Sequence, residues 1–149
     1  MISALSVKVT NIGVGEMLNH SWTGPAEMWR DLLREALITI GVVRRPDMAL
    51  KIMDHQPAPR DLLPGTLIVV EGGGKKKWVC FQCPGGCGNR FQLSLNPSQH
   101  PRWTVDSDIL GRPTIHPSIH QHDACRAHFW VRAGRIEWCS DSGHQTTSI

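Results

Sequence analysis

The sequence has no apolar run approaching the ~20 residues that a helix needs to cross a bilayer. Its first residues, MISALSVKVTNIG, lack the charged start and long apolar stretch of a signal peptide. There is no internal repeat and no low-complexity segment. There is also no strong charge of either sign, since 16 Lys and Arg stand against 13 Asp and Glu, a formal +3. Nucleic-acid binders concentrate basic residues on one face. The main basic cluster here, Lys75, Lys76 and Lys77, follows three glycines and reads as a solvated hairpin tip. That GGG run at 72–74 is no phosphate-binding loop, because no Gly-Lys-Ser/Thr ending and no helix follow it. These absences turn the reading away from membranes and P-loop chemistry and predict a cytoplasmic protein.

What is present suits one domain, or a small domain with an appendage: 149 residues, 40% of them hydrophobic, with 14 Gly and 10 Pro. The predicted class is α+β, rich in loops and short strands. Residues 1–12 alternate as a strand does. The stretch SWTGPAEMWRDLLREALITIG predicts a helix capped by Ser21 or Thr23, with Pro25 in its first turn and Gly41 at its exit. Met28, Leu32, Leu33, Ala36, Leu37 and Ile40 form an apolar face that reads as turned to the core. Prolines at 46, 57, 59 and 64 make the next stretch a connector with a short strand near Leu50. TLIVVE and WVCFQC then form a hairpin across GGGKKK, RFQLSL and RWTV follow as strands, and Arg126 to Trp138 folds back at RAGR. Between them, the stretch through Pro113 and Pro117 reads as turns. The division is thus an N-terminal strand and helix segment, 1–62, and a β-rich unit of hairpins, 63–149, resembling a zinc ribbon.

Five cysteines at clustered spacings fit metal ligation in a reducing compartment better than a disulfide framework. Tetrahedral zinc takes four ligands, commonly as two close pairs. Cys125-x-x-His128 is one pair. Cys80-x-x-Cys83 has the commoner spacing for the other, but in a strand its two side chains would point to opposite faces. Cys83 and Cys87 bracket Gly85 and Gly86, which can take positive φ and aim backbone N–H groups at a thiolate. The favoured ligands are therefore Cys83, Cys87, Cys125 and His128, with Cys80 in reserve. A lone cysteine would read as a small buried hydrophobe, but two pairs of this kind do not. Four protein ligands close the shell, so the zinc reads as structural and as the source of much of the unit's folding free energy.

Other clusters carry less. His116, His120, His122 and Asp123 in HPSIHQHD lack the glutamate of the metalloprotease motif and read as surface histidines in a loop. Cys139 has no histidine partner that the sequence can assign, so no catalytic residue is named. Trp78, Trp103, Trp130 and Trp138 read as packing around the metal. An alternative is a platform for nucleobases formed with Arg102, Arg126 and Arg132. In HFWVR, His128, Trp130 and Arg132 face one side, while Phe129 and Val131 face the other.

The ordered set PGTLIVVE, CPGGCGN, RW, PSI and CRAHFWVRAGRIEW, from Leu63 to Cys139, resembles a bacterial zinc-knuckle domain family of unknown function. Its members carry a CGCG knuckle, a Pro-Ser-Ile turn and a CRSHYWI strand. The resemblance places the knuckle cysteines on Cys83 and Cys87 and the second pair on Cys125 and His128. Where the family commonly has a further knuckle cysteine, this chain has Gly85; if that cysteine is a ligand, Cys80 must replace it. Family members are often encoded beside ubiquitin-like modifiers and their activating and conjugating enzymes, which implies a protein partner of that kind. The leading expectation is a zinc-stabilised, non-enzymatic adaptor in a bacterial ubiquitin-like modification pathway. The alternatives are a nucleic-acid-binding zinc-ribbon-like protein and an enzyme of the pathway, either a zinc hydrolase or a ligase-like factor.

Overall fold

The computed structural model describes residues 24–123 and 125–143. The strand expected over 1–12 and the helix cap at Ser21 or Thr23 lie outside them. The helix α1 spans Pro25–Thr39, with proline in its first turn as the sequence predicts. It does not turn its apolar face inward. None of its residues is buried, and Met28, Leu32 and Leu33 each keep half or more of their surface exposed. Arg34 ties it to the rest of the molecule by donating from Nη1 to the Leu110 carbonyl at 3.3 Å.

Eight strands follow: β1 (Ala49–Met53), β2 (Thr66–Gly72), β3 (Lys75–Gln82), β4 (Arg90–Ser94), β5 (Thr104–Ser107), β6 (Pro113–His120), β7 (His128–Arg132) and β8 (Arg135–Trp138). They form two four-stranded sheets, in orders β1-β2-β3-β4 and β5-β6-β7-β8. All pairings are antiparallel except β1 with β2. The expected hairpins are present as β2–β3 and β7–β8, and the lysines of KKK lie in β3 rather than in the turn.

Alternation along the strands builds the core. Leu67 and Val69 of β2, Val79 and Phe81 of β3, and Leu93 of β4 meet Val105, Ile115, Ile119, Phe129 and Val131 of the other sheet in one apolar cluster. Phe81, Phe91, Phe129 and Trp138 interlock there, with Phe81 and Phe129 edge to face at 6.3 Å between ring centres. The opposite side of β2 and β3 contributes Ile68, Val70 and Cys80 to a smaller cluster with Leu62. Trp103 and Trp138 pack on the main core and Trp78 on the smaller one.

The expected class, α+β with a zinc-ribbon-like unit of hairpins, is therefore corrected to a mostly β architecture of two four-stranded sheets and one helix. A ribbon needs its metal in place of a core, whereas here two sheet faces supply a continuous apolar interior. The sequence concealed this because one strand, β6, lies in a stretch that reads as turns, whereas the short strand expected near Leu50 is present as β1. β6 carries Pro113 and Pro117 and yet runs between β5 and β7. It accommodates Pro117 in a bulge, since Ile115 pairs with Val131 and Ile119 with Phe129, leaving extra β6 residues between them. Among the described residues, no helix is long and apolar enough to cross a membrane.

Candidate functional site

Ser118 sits in that bulge, on the outer face of β6, with the inward Ile115 and Ile119 to either side. Its carbonyl accepts a hydrogen bond from Trp103 Nε1 at 3.4 Å. Across the ladder, β7 alternates so that Phe129 and Val131 are buried and His128, Trp130 and Arg132 face outward, as the sequence pattern predicts. His128 Nε2 lies 3.1 Å from Ser118 Oγ. Its other ring nitrogen, Nδ1, lies 2.6 Å from Asp141 Oδ1.

Asp141 is delivered by the turn that follows β8. The Ser142 N–H donates to the Cys139 carbonyl at 3.0 Å, and the Gly143 N–H donates to the Arg126 carbonyl at 2.9 Å. The buried Ser142 accepts the His128 backbone N–H at 3.0 Å through its hydroxyl, so the turn is tied to the residue that Asp141 faces. The approach at Gly143 is close enough to exclude a side chain, because a Cβ there would lie 2.9 Å from the Cys125 carbonyl oxygen and from Arg126 Cβ. The hydrogen bond from His128 holds the Asp141 carboxyl below its ordinary range. As a carboxylate it accepts a hydrogen bond from Nδ1–H, and in that tautomer the lone pair of Nε2 faces the Ser118 hydroxyl.

His120 is the cross-strand partner of His128, and its ring stacks on that imidazole at 4.3 Å and 9°. Ligand atoms of His120, His128 and Asp141 fall within 4.8 Å of one another. Parallel rings, however, send their lone pairs side by side rather than to one point, so this arrangement serves Ser118 better than it serves a cation. Further along β7, Arg132 lies over the Trp130 ring at 4.5 Å and His116 meets its edge at 6.0 Å.

A second group lies beside the start of β7. After β3 the chain curls at CPGGCGN: the Cys83 N–H donates to the Asn89 carbonyl, the Gly86 N–H donates to the Cys83 carbonyl, and Gly86 and Gly88 take φ near +75°. The curl brings the thiols of Cys83 and Cys87 to that of Cys125, all within 4.8 Å, with Cys83 and Cys125 sulfurs 3.6 Å apart. Burial pushes the Cys83 thiol up to about 12, against a hydrogen bond from the Gly85 backbone. The Asn89 backbone draws the exposed Cys87 thiol down. Of the four residues favoured as zinc ligands, the structure brings these three together and places His128 between Ser118 and Asp141 instead. Cys80 lies in the smaller apolar cluster, where Gln56 Nε2 donates to its sulfur at 3.5 Å.

Sequence reasoning missed Ser118 and Asp141. The Pro-Ser-Ile turn and the Cys-x-x-His strand are both visible in the sequence, but neither spacing brings Ser118 to His128, which only the β6–β7 ladder does. Nothing in SDSGHQ singles out the aspartate.

Residues 54–139 match the family model described as "Bacterial ubiquitination-like system serine protease (BubE)". No curated protein and no solved structure matches the chain.

Proposed function

The chain belongs to the BubE family of a bacterial ubiquitination-like system, and on that premise we propose that it is a serine protease using Ser118 as nucleophile, His128 as base and Asp141 as the group that orients the base. One observation carries the reading: a single imidazole bridges a serine hydroxyl at 3.1 Å and a carboxylate at 2.6 Å. That is the constellation by which an unactivated hydroxyl attacks an acyl carbon. Ser118 Oγ adds to the carbonyl as its proton passes to His128 Nε2. Asp141 stabilises the imidazolium that results. The imidazolium protonates the departing amine, and water, deprotonated by the same nitrogen, releases the acyl group from Ser118. The substrate class follows from the family's system: protein amide bonds of a ubiquitin-like modifier or its conjugates.

Cys83, Cys87 and Cys125 fit zinc as a structural ion. Two thiolates on zinc, at about 2.3 Å each and a tetrahedral angle, stand about 3.8 Å apart, close to the 3.6 Å between Cys83 and Cys125. Gly85 and Asn89 direct backbone N–H groups at the sulfurs, as thiolates require. The metal would hold the turn before β7 and supply no chemistry to the triad.

The test is labelling by a fluorophosphonate probe, paired with cleavage of a ubiquitin-like modifier extended at its carboxyl end. The wild type reacts at Ser118 and cleaves the fusion, while Ser118→Ala does neither and keeps its circular dichroism. A wild type that binds modifier but is neither labelled nor active would be the adaptor of the sequence reading.

A further inference from the structure

With His128 committed to Ser118, the three-cysteine cluster has three sulfurs for a metal that takes four ligands. We infer that the fourth ligand is the side-chain oxygen of Gln121, giving a Cys83, Cys87, Cys125 and Gln121 zinc site. This rests on the zinc reading above.

Gln121 Oε1 lies 3.2 Å from Cys125 Sγ and 4.0 Å from Cys87 Sγ. An oxygen and a sulfur sharing a tetrahedral zinc, at about 2.1 and 2.3 Å, stand about 3.6 Å apart. The two observed separations straddle that value. The residue is held in place independently of its side chain, because its backbone N–H donates to the Ala127 carbonyl at 2.8 Å. An amide oxygen is a neutral donor with lone pairs to offer and no proton to lose. It therefore adds a ligand to three thiolates without adding charge.

The other candidate donors do not group with these three sulfurs. Cys80 is in a different apolar cluster. His128 faces Ser118 and Asp141. The His122 ring lies against His120 at 4.4 Å. Among the described residues, the grouping of histidine, cysteine and acidic side chains around Cys83 stops at the three cysteines.

The assignment also links the metal to the triad. Gln121 comes three residues after Ser118, and Cys125 three residues before His128. Ligation by both would cross-link the ends of β6 and β7 beside the two reacting groups.

The experiment is zinc X-ray absorption together with chelator competition, on the wild type, Gln121→Ala and Gln121→Cys. The wild type should show three sulfurs and one light atom, without the outer-shell scattering of an imidazole. Gln121→Ala should hold zinc at least ~10-fold more weakly, and Gln121→Cys should show four sulfurs. Four sulfurs or imidazole scattering in the wild type, or unchanged affinity and spectrum in Gln121→Ala, would overturn the assignment while leaving the three-cysteine site intact. A wild type with no zinc would overturn the metal reading itself. Both readouts are independent of protease activity.

Discussion

The proposed triad depends on which nitrogen of His128 carries the proton. Asp141 fixes this: its carboxylate accepts from Nδ1 at 2.6 Å, so Nε2 is the base. Replacing it by asparagine keeps the shape but allows the amide to donate to Nδ1, which would put the proton on the wrong side. Asp141→Asn should therefore lower kcat by roughly 10³–10⁴ with little change in KM, as steady-state cleavage of a modifier fusion would measure; an unchanged kcat would remove Asp141 from the mechanism. The spacing Cys125-x-x-His128 suggested a shared metal because, in a smooth knuckle, such a pair converges. Here Arg126 takes φ +51° between them, and His128 already belongs to β7, so the thiol and the ring look into different places. Sequence spacing does not show this turn.

At the scale of elements, the clearest strands were legible: TLIVVE and WVCFQC as short apolar runs, buried on both faces in β2 and β3, and HFWVR and IEW by the period-two alternation of β7 and β8. β6 was not, because Pro113 and Pro117 suggest turns and the bulge that admits Pro117 depends on β7. With β6 read as a loop, Ser118 had no face and no partner. The turn that carries Asp141 was equally hidden, since its place is set by hydrogen bonds to Arg126 and His128. Gly143→Ala tests that placement. The added methyl meets backbone and Cβ at 2.9 Å, so the turn must shift and carry Asp141 away from His128. Activity should drop at least ~10-fold while the melting temperature changes by only a few degrees; an unaffected rate would mean that the turn is not held as described.

The link from β5 to β6 offers a pH-dependent test. Asp108 accepts from the Leu110 and Arg112 backbone N–H groups and pairs with the Arg112 guanidinium. Burial alone would raise its carboxyl, but the Arg112 side chain, followed by the Arg112 and Leu110 backbones, brings it below the ordinary 3.8. A folded value below the unfolded one means stability present above pH 3.8 and lost as the pH falls through the lowered value. Asp108→Asn should thus be less stable than the wild type by about 1–2 kcal/mol at neutral pH, with the gap closing below pH 4 in urea titrations; a gap that persisted in acid would show that charge is not its source.

For the whole molecule, the question is how much of the fold would rest on the proposed zinc. The sequence reading assigned the metal much of the folding energy, on the premise that the hairpins had no other core. The two sheets instead bury Leu67, Phe81, Ile115, Phe129 and Val131 completely, across a shared interior that meets the cysteine cluster only at its edge, through Cys83 and the partly buried Cys125. Burial of that kind is worth about 1.5–3 kcal/mol for each large side chain, so the sheets should persist without zinc. What the proposed zinc would restrain is local: the turn carrying Cys125, three residues from His128, and the end of β6, three residues from Ser118. Stripping zinc with a chelator should abolish fluorophosphonate labelling while far-ultraviolet circular dichroism keeps its β signature, and returning zinc should restore labelling. Collapse of the β signature would mean that the metal carries the fold, as in a zinc ribbon; full labelling without zinc would mean that the triad is held by β6, β7 and the Asp141 turn alone.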